Sequence, residues 1–265
     1  MEVSGVIEEI FADLGLTGKV VIVTGAGTGI GAATAIRLAR SGAHVSLIGR
    51  TSETLTNVQH IIEEFGGKAL CVTADMSDEG SGRTIVDATL ERFGQLDGVV
   101  NNAATIRHFP IEEWPVDVFD DHIATNIRGP FLLIRDSVPH LRSSTVRSIV
   151  NVSSSSGSVR RVGQSVYGMT KAALDYLTQS LAGELASDGI RVNAIVPGPV
   201  DTPIHKTWAT DLDEAYKWLA TQSPLGRIAE PDEIARWITF LLSPVTSFVT
   251  GAVIPVDGGQ VIDRE

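Results

Sequence analysis

One junction constrains the fold of this chain more than any other. The run Lys19-Val20-Val21-Ile22-Val23-Thr24 shows no polar alternation and passes straight into Gly25-Ala26-Gly27-Thr28-Gly29-Ile30-Gly31. A helical pattern, Ala32 to Arg40, follows at once. A short β-branched run of this kind reads as a strand buried on both faces, as in a parallel sheet. Strand, glycine turn and helix start together make a phosphate site. The glycines let the backbone approach a pyrophosphate, and the helix N-terminus offers free N–H groups at its positive end. The glycines do not follow G-x-G-x-x-G, because Ile30 takes the third place; Thr24, Gly25, Gly29 and Gly31 follow T-G-x-x-x-G-x-G instead. The structural alternative is a turn that merely lets helix pack on strand.

The same alternation continues down the chain. A second strand, Ala43 to Ile48, ends at Gly49-Arg50-Thr51-Ser52. No acid stands there to accept hydrogen bonds from an adenosine ribose, whereas an arginine suits a 2′-phosphate, so NADP(H) is favoured over NAD(H). Alternatively Arg50 is solvated and Ser52 caps the next helix. The third strand, Lys68 to Thr73, leads to Asp75, which either meets an adenine amino group or serves as a turn acid beside Ser77. The helix after it starts poorly, with Gly80 and Gly82 in its first turns. The fourth strand, Leu96 to Val100, opens into Asn101-Asn102-Ala103-Ala104, small and amide residues suited to a nearby ligand. A helical region broken by Pro115 and Pro130 contains Asn126, a poor helix former that signals a kink, a polar task or a cap. Strands follow at 148–152, 190–196 and 252–256, with a helix at 232–242. The segment 202–226, carrying Trp208, Tyr216 and Trp218, reads as a mobile lid. This is an α/β chain: a parallel sheet with helices on both faces in one domain, binding ligand at the carboxyl ends of its strands.

The second informative stretch is Asn151 to Lys171, NVSSSSGSVRRVGQSVYGMTK. On a helix, Tyr167 and Lys171 share one face a single turn apart. A lysine charge at about 4 Å, with an effective dielectric of about 20, favours the phenolate by roughly 4 kcal/mol before screening. At ~1.36 kcal/mol per unit, this is an upper limit of about three pKa units. Such a pair makes tyrosine a usable general acid or base. Upstream, four serines from Ser153 to Ser156 follow an apolar strand, and chemistry alone does not choose among their hydroxyls.

Composition narrows the partners. With 265 residues and ordinary apolar content, a sizeable core is expected. A net charge of −11 argues against a nucleic-acid polyanion as main partner. The single cysteine, Cys71, forms no internal disulfide and reads as a packing residue. The N-terminus has no basic leader and no apolar run reaches membrane-spanning length, so a cytoplasmic location is expected. The six histidines show no ligand-like spacing, so no metal is implied. Residues 1–17 read as an amphipathic extension ahead of the domain.

Taken together, Thr24-Gly25…Gly29-Ile30-Gly31, Asn101-Asn102-Ala103, Ser154 and Tyr167…Lys171 resemble the short-chain dehydrogenase/reductase family. Pro197-Gly198 and Val256-Asp257-Gly258-Gly259 fit as well. The resemblance spans about residues 18–262, and is to members such as 3-oxoacyl-carrier-protein reductases and sugar or steroid-alcohol dehydrogenases. It implies a Rossmann-type, doubly wound parallel sheet of about seven strands.

By residue matching it makes Tyr167 the proton donor in reduction and acceptor in oxidation. Lys171 would lower the tyrosine pKa and hold the nicotinamide ribose. Ser154, matched through S-x-x-G to Gly157, would orient the substrate oxygen, and Asn126 would anchor a water in a relay through Lys171. Around the cofactor it implies Gly25, Thr28, Gly29, Ile30 and Gly31 at the pyrophosphate, and Arg50 and Thr51 beyond the second strand. Asp75 and Met76 would lie at the adenine, Asn102 and Ala103 at its ribose. Pro197, Gly198, Val200 and Thr202 would lie at the nicotinamide. Ala104 departs from the pattern, which usually has a second glycine there. The implied activity interconverts a ketone or aldehyde and an alcohol with NADP(H), in a homotetramer. NAD dependence is the alternative, and a non-catalytic dinucleotide sensor is a second one. Ile106 to His108, Ser155 to Gln164 and the lid would border the substrate. Arg160 and Arg161 would be either a basic rim for an anionic group or solvated arginines.

Overall fold

The computed structural model describes residues 14–261. Seven parallel strands form one sheet in the order β3-β2-β1-β4-β5-β6-β7. They are β1 (Val20–Thr24), β2 (His44–Gly49), β3 (Lys68–Thr73), β4 (Gly98–Asn101), β5 (Ser148–Val152), β6 (Arg191–Pro197) and β7 (Val253–Val256). Helices α1 (Gly29–Arg40), α2 (Ser52–Glu64), α3 (Ser81–Phe93), α4 (Val116–Ile123), α5 (Gly129–Leu141), α6 (Ser165–Glu184), α7 (Leu212–Thr221) and α8 (Pro231–Leu242) complete the framework. The order reverses between β1 and β4, so a crevice opens at the carboxyl ends of those two strands.

The missing polar alternation in β1 has a direct cause. Val21 and Val23 pack into one core layer with Leu38, Leu55 and Ile234, from α1, α2 and α8. Ile22 points the other way, into a layer with Ile85, Leu133 and Leu181 from α3, α5 and α6. Every residue of β1 is buried, so both faces need apolar side chains.

Local boundaries differ from the sequence pattern where polar groups intervene. The fourth strand starts at Gly98, because the buried Asp97 accepts hydrogen bonds from Val20 N at 2.8 Å and Ser144 Oγ at 2.6 Å. Gly82, expected to weaken α3, marks a close helix contact: a Cβ there would lie 3.1 Å from the Leu132 backbone. At the N-terminal side, Leu16 is fully buried and Ser243 Oγ donates to Leu14 O at 2.6 Å. Residues 14–17 of the expected extension thus touch the domain core, while 1–13 lie outside the described residues. Among the described residues no helix is long and apolar enough to cross a membrane.

Candidate active site

The chain leaves β1 through Gly25 and enters α1 at Gly29, with φ of +65° and +54° respectively, a backbone region that costs glycine little. Thr24 Oγ1 accepts the N–H groups of Asn102 at 2.9 Å and Ala103 at 3.0 Å. In return, Asn102 Nδ2 donates to Thr24 O at 2.9 Å and to Gly25 O at 3.3 Å. The exit of β4 is therefore stapled to the glycine turn, and the Asn102 amide N–H groups are spent on that staple. Gly31 is a packing glycine: a Cβ there would lie 2.1 Å from Gly25 O. Thr28 makes no side-chain cap and α1 has no acid in its first turn. Gly25, Thr28, Gly29 and Ile30 line a cavity of about 390 Å³. An uncapped helix start without carboxylates fits the pyrophosphate of a dinucleotide.

Arg50, Thr51 and Asp75 lie at the ends of β2 and β3, outside that cavity. Arg50 is well exposed, and its Nη1 lies 3.8 Å from Asp75 Oδ2. Asp75 Oδ1 accepts from Ser77 N at 2.9 Å and Ser77 Oγ at 2.8 Å, so the carboxylate does serve the turn. Thr51 is the residue ahead of α2, and Ser52, read as a possible cap, is its first residue. Met76 is buried in the layer beside Ile85 and Leu133, so its side chain belongs to the core.

The four serines separate cleanly. Ser153 Oγ donates to Lys171 O at 3.2 Å, Ser155 Oγ to Gln260 Oε1 at 2.6 Å, and Ser156 Oγ to Gln164 Oε1 at 2.8 Å. Ser154 remains: its hydroxyl lines the cavity beside the Tyr167 phenol, near enough to favour the ionised phenol. Its Oγ also accepts from Ser156 N at 3.2 Å. The other three hydroxyls are thus engaged by the fold.

Tyr167 and Lys171 sit a turn apart on α6, both buried and both lining the cavity. Lys171 Nζ lies 5.7 Å from the phenol ring centroid and donates to Val152 O at 2.8 Å. Burial pushes the Tyr167 phenol up to about 12, against a smaller lowering by Ser154. Burial likewise pulls Lys171 down to about 8, while the Asp175 carboxylate partly supports its charge. The downward tuning expected of the phenol from the lysine is therefore not seen: burial raises the phenol, and the lowering against it comes from Ser154. Asn126 sits in a π-helical turn, Ala124–Arg128, between α4 and α5, so the expected irregularity is present. Its carboxamide accepts from Thr105 N at 2.9 Å and donates to Thr105 O at 3.0 Å and Thr170 Oγ1 at 3.1 Å. With its amide donors spent on Thr105 and Thr170, the side chain ties α6 to the loop after β4.

At the far side, Pro197, Gly198, Val200 and Thr202 line the cavity after β6. A 3-10 turn, Pro203–Thr207, and α7 bring Trp208, Trp218 and Leu219 to its wall. Two participants were not anticipated. Gln260 reaches the site from 105 residues beyond Ser155, with no local signal. Asp175, four residues after Lys171 on the same helix face, was available from spacing alone.

Comparison with known proteins agrees with this geometry. The family model described as enoyl-(acyl carrier protein) reductase matches residues 25–260. Cis-4-hydroxycyclohexanecarboxylate dehydrogenase of Sinomonas cyclohexanicum is 39% identical over 242 residues, covering 91% of this chain and 96% of that protein. The chain belongs to the short-chain dehydrogenase/reductase family. The short-chain dehydrogenase/reductase from Serratia marcescens BCRC 10948 superposes with a TM-score of 0.87 at 33% identity, over 93% of this chain and 99% of its own. The 3-ketoacyl-(acyl-carrier-protein) reductase from Brucella melitensis, solved in complex with NADH, gives 0.85 at 33% identity, over 93% and 99%. As a short-chain dehydrogenase/reductase, this chain is an NAD(P)(H)-dependent oxidoreductase acting on CH–OH groups.

Proposed function

We propose that this enzyme interconverts a ketone and a secondary alcohol, with NADP(H) as the favoured cofactor and Tyr167 as the proton-transferring residue. What carries the reading is the placement of Ser154 and Tyr167 in one glycine-lined cavity, with Ser154 near enough to lower the phenol against burial. Two hydroxyls converging on one point can grip a single substrate oxygen. The nicotinamide, when bound, supplies or accepts the hydride. Tyr167 gives the oxygen its proton in reduction, and a buried phenol held near 12 is ready in its protonated form. Lys171 supplies positive charge over the phenol ring, and Asn126 fixes α6 through Thr170.

The cofactor preference is supported by the end of β2, where Gly49 and Arg50 stand in place of a ribose-binding acid. Comparing NADP and NAD affinities for the wild type and Arg50→Asp tests this part. A preference unmoved by the charge reversal defeats it.

A homotetramer is supported by two exposed apolar sets. Phe131, Met169 and Tyr176 lie on α5 and α6, and Trp237 and Phe240 lie on α8. Patches of large apolar side chains mark protein contacts.

NADPH consumption across a panel of ketones, run beside Tyr167→Phe, tests the reaction. Turnover abolished by the substitution is expected. Tight NADPH binding with no turnover across the panel would instead favour a dinucleotide sensor.

A further inference from the structure

Arg160 and Arg161 are adjacent in sequence, yet the fold separates them. Arg160 is exposed, whereas Arg161 is half-buried and lines the same cavity as Ser154 and Tyr167. The Arg161 guanidinium carbon lies 5.6 Å from the ring centroid of Trp218. The segment that carries it is fixed at several points. Val159 N donates to Ser155 O at 2.7 Å, Gln164 N to Arg161 O at 3.3 Å, and Phe109 N to Gly163 O at 3.2 Å.

Among the described residues, no carboxylate lies within ion-pair distance of Arg161, and its guanidinium makes no hydrogen bond. The buried Arg191 and the part-buried Arg147 also lack a carboxylate, but both spend their donors on backbone carbonyls, which Arg161 does not. Elsewhere Arg37, Arg128, Arg142, Arg227 and Arg236 all reach an acid. No aspartate or glutamate lines the cavity. Burial pulls the Arg161 guanidinium below its ordinary range, a cost that no protein anion offsets. His108 nearby is also held low, by burial first and by the Arg161 charge second, so it does not compete for an anion. Ile106, Ile204, Trp208, Trp218 and Leu219 give the cavity apolar surface.

A half-buried cation with open donors, beside an apolar wall and in one cavity with a hydroxyl pair, is built to orient a ligand. We propose that Arg161 is a specificity residue for a carboxylate, and that the substrate is an oxo or hydroxy carboxylic acid whose apolar body lies against Trp208 and Trp218. The planar guanidinium fork matches a planar carboxylate in two parallel hydrogen bonds. This rests on the ketone–alcohol reading of the same site.

The test pairs each of levulinate and 4-oxocyclohexanecarboxylate with its carboxamide. For wild type, kcat/KM is expected to favour the acid over the amide by about tenfold or more, the usual scale for a charge-assisted hydrogen bond. In Arg161→Gln that ratio collapses to near one, chiefly through KM, and Arg161→Lys recovers part of it. Arg160→Gln keeps the wild-type ratio. Calorimetric titration of the same ligands into the full chain, with NADP or NAD present, reads binding without turnover and confirms that each variant is folded. Turnover of both members of a pair without acid preference overturns the role of Arg161 and leaves the reaction standing. Arg161-dependent binding of the acids without any turnover keeps the anion site and overturns the reaction. Equal, Arg161-independent binding of acid and amide overturns the proposal outright.

Discussion

Lys171 Nζ stands over the Tyr167 ring, 5.7 Å from its centroid, and holds that position by donating to Val152 O at 2.8 Å. The two groups are poised in opposite senses by one cause. Burial raises the phenol to about 12 and lowers the amine to about 8, each toward its neutral form. On the proposed reading, Tyr167 is therefore the stored proton of the site. Tyr167→Phe keeps the ring and removes that proton, so turnover should fall by roughly 10²- to 10⁴-fold, the range for general acid–base catalysis. A fluorescence titration with NADPH should show a far smaller change in affinity. Turnover close to wild type would place the proton source elsewhere.

The lysine sets the basic side of the pH profile. Below a pKa of about 8 the amine is charged, and above it the charge is lost. If that charge assists the phenol, kcat/KM for reduction should be level below this pH and fall above it. Asp175 is the group that raises the lysine against burial, and its Oδ1 is buried without a hydrogen-bond partner. Removing its charge in Asp175→Asn should lower the Lys171 pKa and move the falling limb to lower pH. A purely structural role for Asp175 would reduce stability and leave the limb where it was.

What could be read from sequence was what the chain states locally. The β1–glycine–α1 junction lies within one short segment, and so does the Tyr167–Lys171 spacing on one helix face. Gly82 and Asp97 were harder, because their meaning comes from Leu132 and from Val20 and Ser144, far along the chain. Residue chemistry left four serines open and only the family resemblance singled out Ser154; that Lys171, Gln260 and Gln164 engage the other three hydroxyls is a long-range fact of the fold. The burial that raises the Tyr167 phenol is hidden from sequence for the same reason. Charge proximity is visible in a helical spacing, whereas desolvation is a property of the completed fold.

Gly31 separates two roles that glycines in the turn share by appearance. Gly29 needs its left-handed backbone, while Gly31 needs the absence of a side chain against Gly25 O. A methyl in Gly31→Ala would meet a backbone oxygen at 2.1 Å, so the turn itself must move. The helix start would shift with it, and the pyrophosphate contacts depend on that position. Cofactor affinity should fall at least about tenfold, the effect of losing one charge-assisted contact. The same titration used for Tyr167→Phe measures this, and unchanged affinity would mean that the turn tolerates the shift.

Arg37 on α1 and Asp232 on α8 clamp the two helices outside one core layer. Arg37 Nε and Nη2 donate to Asp232 at 2.8 and 2.6 Å, and Arg236 adds a third donor at 3.0 Å. Burial raises the Asp232 carboxyl, but the hydrogen bonds from Arg37 and Arg236 outweigh it and hold the group below its ordinary range. A carboxylate depressed on folding stabilises the protein above its unfolded pKa, near ~3.9, and that contribution is lost as pH falls through the folded value. Both side chains are more than a third exposed, so solvent screening limits the clamp to about 1 kcal/mol. Asp232→Asn should therefore lower the unfolding free energy by about that amount at pH 7. The difference between the two proteins should shrink once the pH drops below ~4, where the carboxyl of the unfolded chain takes up its proton while the folded one is still ionised, and vanish below the depressed folded value. Urea unfolding at several pH values reads both effects. A constant difference down to low pH would assign the clamp to packing instead of charge.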